Sequence, residues 1–245
     1  MSQAAHRPDA SQLAHGLDAS HMRGAGFDPA PRCTTRSPTP ALPWWSATLA
    51  LLALAVHALP GSADWLAWDR SAVATGEIWR LLTGHLVHWS TGHLIWDVGT
   101  FLGLGVLCER CSRPRFLATL LVSSLAIPLA VGIWLPQMTL YGGLSGLDCA
   151  LFALLAADLL WERREQRGTT GWWLGAGLTG VLAGKIGFEA ATGATLFVAN
   201  LGSGVEAVPV AHAVGAGIGV LCATIGRGWQ IGPRLVAPQV GGAWS

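Results

Sequence analysis

Charge is what this sequence has least of. Only 12% of its 245 residues are Asp, Glu, Lys or Arg, about half the share of an ordinary soluble domain. The 15 basic and 14 acidic residues nearly cancel. Without a basic patch to neutralise phosphates, nucleic-acid binding is not expected, and no charged tract marks an oppositely charged partner. Cysteine is also sparse. Cys33, Cys108, Cys111, Cys149 and Cys222 form an odd, scattered set beside apolar runs, which predicts reduced thiols rather than a disulfide framework. Cys108 and Cys111 make one CxxC without the second pair that a tetrahedral zinc site needs. HExxH is missing as well, which leaves a metal site or transporter built on His85, His88, His93 and Asp97 without its usual signatures. No metal and no cofactor is expected.

What the chain has in abundance is hydrocarbon, with 51% of residues apolar. Residues 1–43 are rich in Pro, Ser, Ala, His and Arg without helical periodicity, and are expected to be a disordered cytoplasmic tail. They do not form a signal peptide, because the first apolar run starts only at Trp44 and no small-residue cleavage pattern follows it. Apolar segments able to cross the roughly 30 Å hydrocarbon layer fall at Trp44 to Leu59, Leu86 to Leu107, Phe116 to Leu135, Leu144 to Trp161, Trp172 to Phe188 and Ala207 to Ile225. The expected fold is therefore an all-α, polytopic six-helix membrane domain over 44–226, followed by a short cytoplasmic tail over 227–245. The Gly-rich stretch Ala190 to Gly204 is read as a loop or half-buried segment before the sixth helix.

Arginine sets the orientation. Arg7, Arg23, Arg32 and Arg36, then Arg110, Arg113 and Arg115, then Arg163, Arg164 and Arg167, and finally Arg227 and Arg234 all fall on one side if six helices alternate. Only Arg70 and Arg80 fall on the other. The positive-inside rule then puts both termini in the cytoplasm. Trp44, Trp45, Trp65, Trp68, Trp161, Trp172 and Trp173 cluster at span ends, as interfacial anchors do.

Ionisable groups inside spans are costly and mark function. His93 and Asp97 lie in the second helix, Ser145 and Asp148 at the start of the fourth, and His212 near the start of the sixth. All three helices run inward from the outer face, so at about 1.5 Å per residue these groups share one layer in the outer half of the membrane. A neutral histidine within hydrogen-bond reach turns a serine hydroxyl into a nucleophile. Gly142, Gly143 and Gly146 allow a tight turn with free amides near Ser145, as an oxyanion hole requires. Small-residue stripes on the fourth helix (Gly146, Ala150, Ala153, Ala157) and the sixth (Ala211, Gly215, Gly219, Ala223) predict close backbone packing between them. Lys185 and Glu189, four residues apart late in the fifth helix, are expected to pair with each other.

In this order, GEIWR at Gly76 to Arg80, TGHLVHWSTGHLIWD ending at Asp97, GLSG at Gly143 to Gly146, and AHAVGAG at Ala211 to Gly217 resemble the rhomboid intramembrane serine proteases. The resemblance covers about Trp44 to Ile225. It implies a Ser145–His212 catalytic dyad without an obligatory third acid. It also implies an oxyanion site formed by His93 with the backbone around Gly143 and Leu144, and structural roles for Trp79 and Arg80. Asp97, the other candidate supporting residue, is a carboxylate that when ionised cannot donate to an oxyanion, so it must be protonated, point elsewhere or orient His93. Two positions depart from the common pattern: Asp97 replaces an asparagine, and Cys149 replaces an aromatic. Asp148, one turn below the serine, is a candidate orienting acceptor for His212 or another donor, with a structural partner as the alternative reading. The GEIWRLLTGHLVH wording is most similar to the rhombosortase branch of bacteria. That branch implies an inner-membrane enzyme acting on membrane-anchored substrates whose C-terminal anchors carry a Gly-Gly motif. A catalytically silent, helix-binding adaptor is the alternative. The sequence sets no oligomeric state.

Overall fold

The computed structural model describes residues 42–161, 164–196 and 207–228, all within one compact unit, Cys33–Ser245. The tails expected at 1–43 and 227–245 lie almost wholly outside the described residues. Among the described residues, six helices of 15 residues or more coincide with the six apolar runs: α1 (Trp44–Ala58), α5 (Thr91–Cys111), α6 (Arg113–Trp134), α7 (Ser145–Trp161), α8 (Arg164–Thr192) and α9 (Pro209–Gly228). Of these, α5 and α6 are long and apolar enough on their own to cross a membrane, and α1 and α9 are shorter apolar helices. α8 begins eight residues before its apolar run. Its first turns, REQRGTTG, include good helix formers that hydropathy does not register. At its other end α8 takes in Ala190 to Thr192, part of the stretch expected to be a loop. Residues 197–206 of that stretch lie outside the described residues.

α7 is the central helix. It packs against α5, α6, α8 and α9, and eleven of its seventeen residues are buried, as expected of a helix apolar all round. The outer helices turn Leu51, Ile95, Leu121, Ile133 and Val181 outward, each more than half exposed. Such a surface suits hydrocarbon rather than water.

The small-residue stripes meet as expected. A Cβ at Gly215 would overlap the carbonyl oxygen of Gly146, and one at Gly219 would overlap that of Ala150. α7 and α9 therefore touch backbone to backbone, with Ala211 and Ala223 fully buried along the seam.

Helix ends are closed by side chains from other helices. Glu109 near the end of α5 accepts from Ser46 N (2.9 Å), Ser46 Oγ (2.8 Å) and Trp45 N (3.3 Å), satisfying orphan donors at the start of α1. At the opposite end, Arg70 donates to the carbonyls of Gly132, Leu135 and Met138 at 2.7 to 2.9 Å, which closes α6. Arg70 opens the short helix α3 (Arg70–Ala74), part of a connection that also holds α2 (Ser62–Leu66), α4 (Arg80–Thr83) and a 3-10 turn at Gly84–Leu86. Arg80, 6% exposed, donates to Ala67 O and Asp64 O at 2.9 Å and pairs with Glu77. Trp79 donates to Trp65 O at 3.3 Å. Both contacts are internal to this connection. A two-residue ladder, β1 (Trp68–Asp69) against β2 (Leu140–Tyr141), pairs Trp68 with Tyr141 and ties the connection to the chain entering α7.

Reduced thiols are found at Cys108, Cys149 and Cys222. Cys111 corrects that expectation, because it is disulfide-bonded. A scattered, odd set argues against a framework of several bridges but does not exclude one.

Gly215→Val forces a branched side chain into a backbone oxygen that cannot yield. It is expected to lower stability by at least about 1–3 kcal/mol. Gly217→Ala, where a Cβ meets nothing within 4 Å, is expected to be neutral. Thermal unfolding of the detergent-solubilised protein checks both.

Candidate active site

The site forms where the N-terminal ends of α5, α7 and α9 converge. Gly142 and Gly143 turn the chain from β2 into α7. Gly143 has φ +115°, a conformation only glycine adopts without strain, and a Cβ there would come within 2.9 Å of His93 Nε2. Its amide donates to Gly84 O at 3.3 Å. His85 braces the turn from behind, with Nδ1 3.3 Å from Gly143 O and Nε2 3.1 Å from Ser124 O. Burial holds the His85 imidazole below its ordinary range. A neutral ring has one N–H, so it donates to one of these carbonyls at a time.

Ser145 is the first residue of α7 and His212 lies in the first turn of α9. Across the glycine seam, His212 Nε2 lies 3.0 Å from Ser145 Oγ. The other ring nitrogen, Nδ1, is 2.7 Å from Glu189 Oε2 on α8. Lys185 Nζ donates to both oxygens of Glu189 at 2.8 Å and stands 3.2 Å from His212 Nδ1. Lys185 and Glu189 do pair with each other, but the pair also reaches His212, which the sequence reading did not foresee. The available signal was depth: Glu189 falls in the same outer layer as Ser145. An i,i+4 ion pair explains itself, however, and gives no sign of a third partner. Asp148 is buried and is not bonded to His212. Its Oδ1 has no hydrogen-bond partner among the described residues.

Asp97 gathers the groups expected to hold an oxyanion. Its Oδ2 accepts from Leu144 N at 3.0 Å and Ser145 N at 3.1 Å, and lies 3.1 Å from His93 Nε2 and 3.3 Å from His88 Nε2. α5 presents His93 and Asp97 one turn apart on one face, after Ser90 caps the helix by accepting from His93 N at 3.2 Å. His88, His93 and Asp97 carry the donor types of a metal site, but the oxygen they share already receives two backbone amides.

Ser145, His212, Asp97, Asp148, Lys185 and Glu189 all border one cavity of about 300 Å³. Its remaining wall is largely apolar, with Trp96 and Thr100 from α5, Phe152 from α7, and Val181 and Leu182 from α8. A cluster of hydroxyl, imidazole and ionisable side chains under an apolar vestibule suits a hydrophobic peptide segment. Residues 75–229 match the family described as Rhomboid domain, a span that holds every residue of the cluster. The chain belongs to the rhomboid family. Rhomboids are integral membrane proteins, generally serine proteases that cut membrane-embedded substrates within the bilayer. No curated protein matches this rhomboid significantly.

Gly143→Ala places a Cβ at a positive φ and against His93. The variant is expected to lose about 1–3 kcal/mol of stability, whereas Gly103→Ala, with open space around it, is expected to lose none. Unfolding midpoints measured side by side check this.

Proposed function

We propose that this rhomboid is an active intramembrane serine endopeptidase in which Ser145 is the nucleophile and His212 the general base and acid. The observation that carries the reading is the 3.0 Å contact between His212 Nε2 and Ser145 Oγ, side chains 67 residues apart that meet at the border of the apolar cavity. In acylation, Ser145 Oγ attacks the scissile carbonyl carbon and its proton passes to His212 Nε2. The tetrahedral intermediate collapses, the C–N bond breaks, and His212 returns the proton to the leaving amine. Water then attacks the acyl-enzyme, again giving its proton to His212, and Ser145 is regenerated as the carboxylate product leaves.

The oxyanion would form where Leu144 N, Ser145 N and His93 Nε2 converge, the point now occupied by Asp97 Oδ2. Two backbone amides donating to one oxygen, with a histidine nitrogen 3.1 Å from it, make the kind of geometry that stabilises a developing negative charge. An ionised Asp97 fills that point and repels a second anion, so its carboxyl must rotate out of the point as the substrate carbonyl arrives; a proton alone would remove the repulsion but not the occupancy. The same occupancy is what favours the alternative of a silent, helix-binding adaptor.

The wider assignment follows from this reading. Residues 44–226 form the membrane domain with six crossings and both termini in the cytoplasm of a bacterial inner membrane. Residues 1–43 and 227–245 are tails. Ser145 then lies near the outer boundary, where single-span substrates would be cut. The GEIWRLLTGHLVH stretch supports the rhombosortase branch, with anchors bearing a Gly-Gly motif, an apolar helix and a basic tail.

In liposomes, a single-span reporter with such an anchor is expected to be cleaved faster than one whose Gly-Gly is replaced. Ser145→Ala and His212→Ala are each expected to abolish cleavage while still inserting. Cleavage that persists in Ser145→Ala would sink the protease reading, and a wild-type protein inert toward both the reporter and a fluorophosphonate probe would favour the adaptor. Asp97→Asn removes the charge that holds the side chain against the two amides, so that it swings out of the point more readily, and restores a donor. It is expected to cleave at least as fast as the parent, whereas Asp97→Ala, which frees the amides and His93 from their common anchor, is expected to be slower. Equal losses in both variants would contradict the proposed competition for the oxyanion point.

A further inference from the structure

A dyad leaves Glu189 without a role. Glu189, 2% exposed near the end of α8, bonds the ring nitrogen of His212 that faces away from Ser145. Where the ring proton sits decides what this contact does. An ionised carboxylate only accepts, so Nδ1 carries the proton and Nε2 offers its lone pair to the serine hydroxyl. That is the tautomer a general base needs. Lys185, one turn earlier on α8, donates to both carboxylate oxygens, and a partner of this kind is what keeps a buried carboxylate charged in apolar surroundings.

A rival arrangement uses the same atoms. Lys185 Nζ, 3.2 Å from Nδ1, would donate to a bare Nδ1, leaving the proton on Nε2 and His212 unable to accept from Ser145. The distances argue against it. The 2.7 Å from Nδ1 to Glu189 is the shortest in the cluster, and two donors converging on Oε2 at 2.7 and 2.8 Å necessarily stand close to each other. Among the described residues, the His212 side chain bonds Ser145 from α7 and Glu189 from α8 and lies 3.2 Å from Lys185 Nζ. The other titratable groups bordering the cavity are His93 and Asp97 from α5, Tyr141, and Asp148 and Cys149 from α7.

Resting on the Ser145–His212 reading, we propose that Glu189 is a positioning residue that extends the dyad to a Ser145–His212–Glu189 triad. It holds His212 in the base-competent tautomer and stabilises the imidazolium formed when Ser145 attacks, and Lys185 fixes the carboxylate in place. Asp148 has no part in this relay.

The test is the rate at which a fluorophosphonate probe labels the full-length protein in detergent, measured across pH. In that reaction Ser145 Oγ bonds to phosphorus, fluoride leaves, and the serine proton goes to His212. Glu189→Gln is expected to label about 10²–10⁴-fold more slowly, the scale of losing a tautomer-fixing carboxylate. The midpoint of its rise with pH is expected to move to lower pH, because an imidazolium without its carboxylate gives up its proton more easily. Glu189→Asp, which keeps the charge, is expected to recover much of the rate and the parental midpoint. A Glu189→Gln rate within about threefold of wild type with an unchanged midpoint would overturn the proposal. A wild-type protein labelled no faster than Ser145→Ala would instead overturn the dyad reading beneath it. Should Glu189→Gln not fold, nitrogen-15 NMR of the wild-type protein decides the matter, with the His212 signals assigned by their loss in His212→Gln. A proton on Nδ1 above the titration midpoint supports the triad, and a proton on Nε2 refutes it.

Discussion

The backbone approach of α7 to α9 is the constraint on which the site depends. Gly215 and Gly219 lie against the carbonyls of Gly146 and Ala150, with no room for a side chain between them. A seam this tight has essentially one register, since sliding either helix by a residue would drive Cβ atoms into backbone. Ser145 and His212 stand one position from Gly146 and Ala211 at the top of that seam, so their 3.0 Å separation follows from the packing. No hydrogen bond between a hydroxyl and an imidazole could impose that geometry on two membrane helices, whereas the seam does so along their length.

The remaining parts of the site hang on this pair through the chain that enters α7. Trp68 pairs with Tyr141, Gly143 bonds to Gly84, and His85 reaches from the 3-10 turn to both Gly143 and α6. The connection between α1 and α5, packed around Arg70 and Arg80, therefore acts as a clamp on the serine turn. Arg70 spends its donors on carbonyls at and beyond the end of α6, and Arg80 donates to Ala67 O and Asp64 O and pairs with Glu77, so both cations are satisfied within the protein.

The parts legible in the sequence were those governed by periodicity and depth. The apolar runs marked the six long helices, the glycine and alanine stripes marked the seam, and the shared layer of Ser145, His93, Asp97 and His212 marked the site. Features that depend on where an atom points were not legible. That Asp97 Oδ2 meets the amides of Leu144 and Ser145 follows from the positive φ of Gly143, which no residue pattern reveals. Glu189 was hidden for a different reason. Its pairing with Lys185 satisfies local rules completely, so nothing in the spacing called for a histidine on another helix, whereas Asp148 lies one turn from the serine on the same helix.

On the proposed mechanism, Asp97 and Glu189 stand at opposite ends of the charge that the reaction separates. As Ser145 attacks, positive charge grows on His212 beside Glu189 and negative charge grows on the substrate oxygen beside Asp97. At contact distance each interaction is worth about 4 kcal/mol at an effective dielectric near 20, and the two have opposite signs. An ionised Asp97 left in place would therefore cancel much of what Glu189 contributes. Rotation of the Asp97 side chain removes that charge from the point and clears it, leaving the amides of Leu144 and Ser145 with His93 Nε2 beside them facing the vacated position, and a histidine already oriented. On the proposed mechanism, the state of Asp97 rather than the distance between Ser145 and His212 decides when this site is competent.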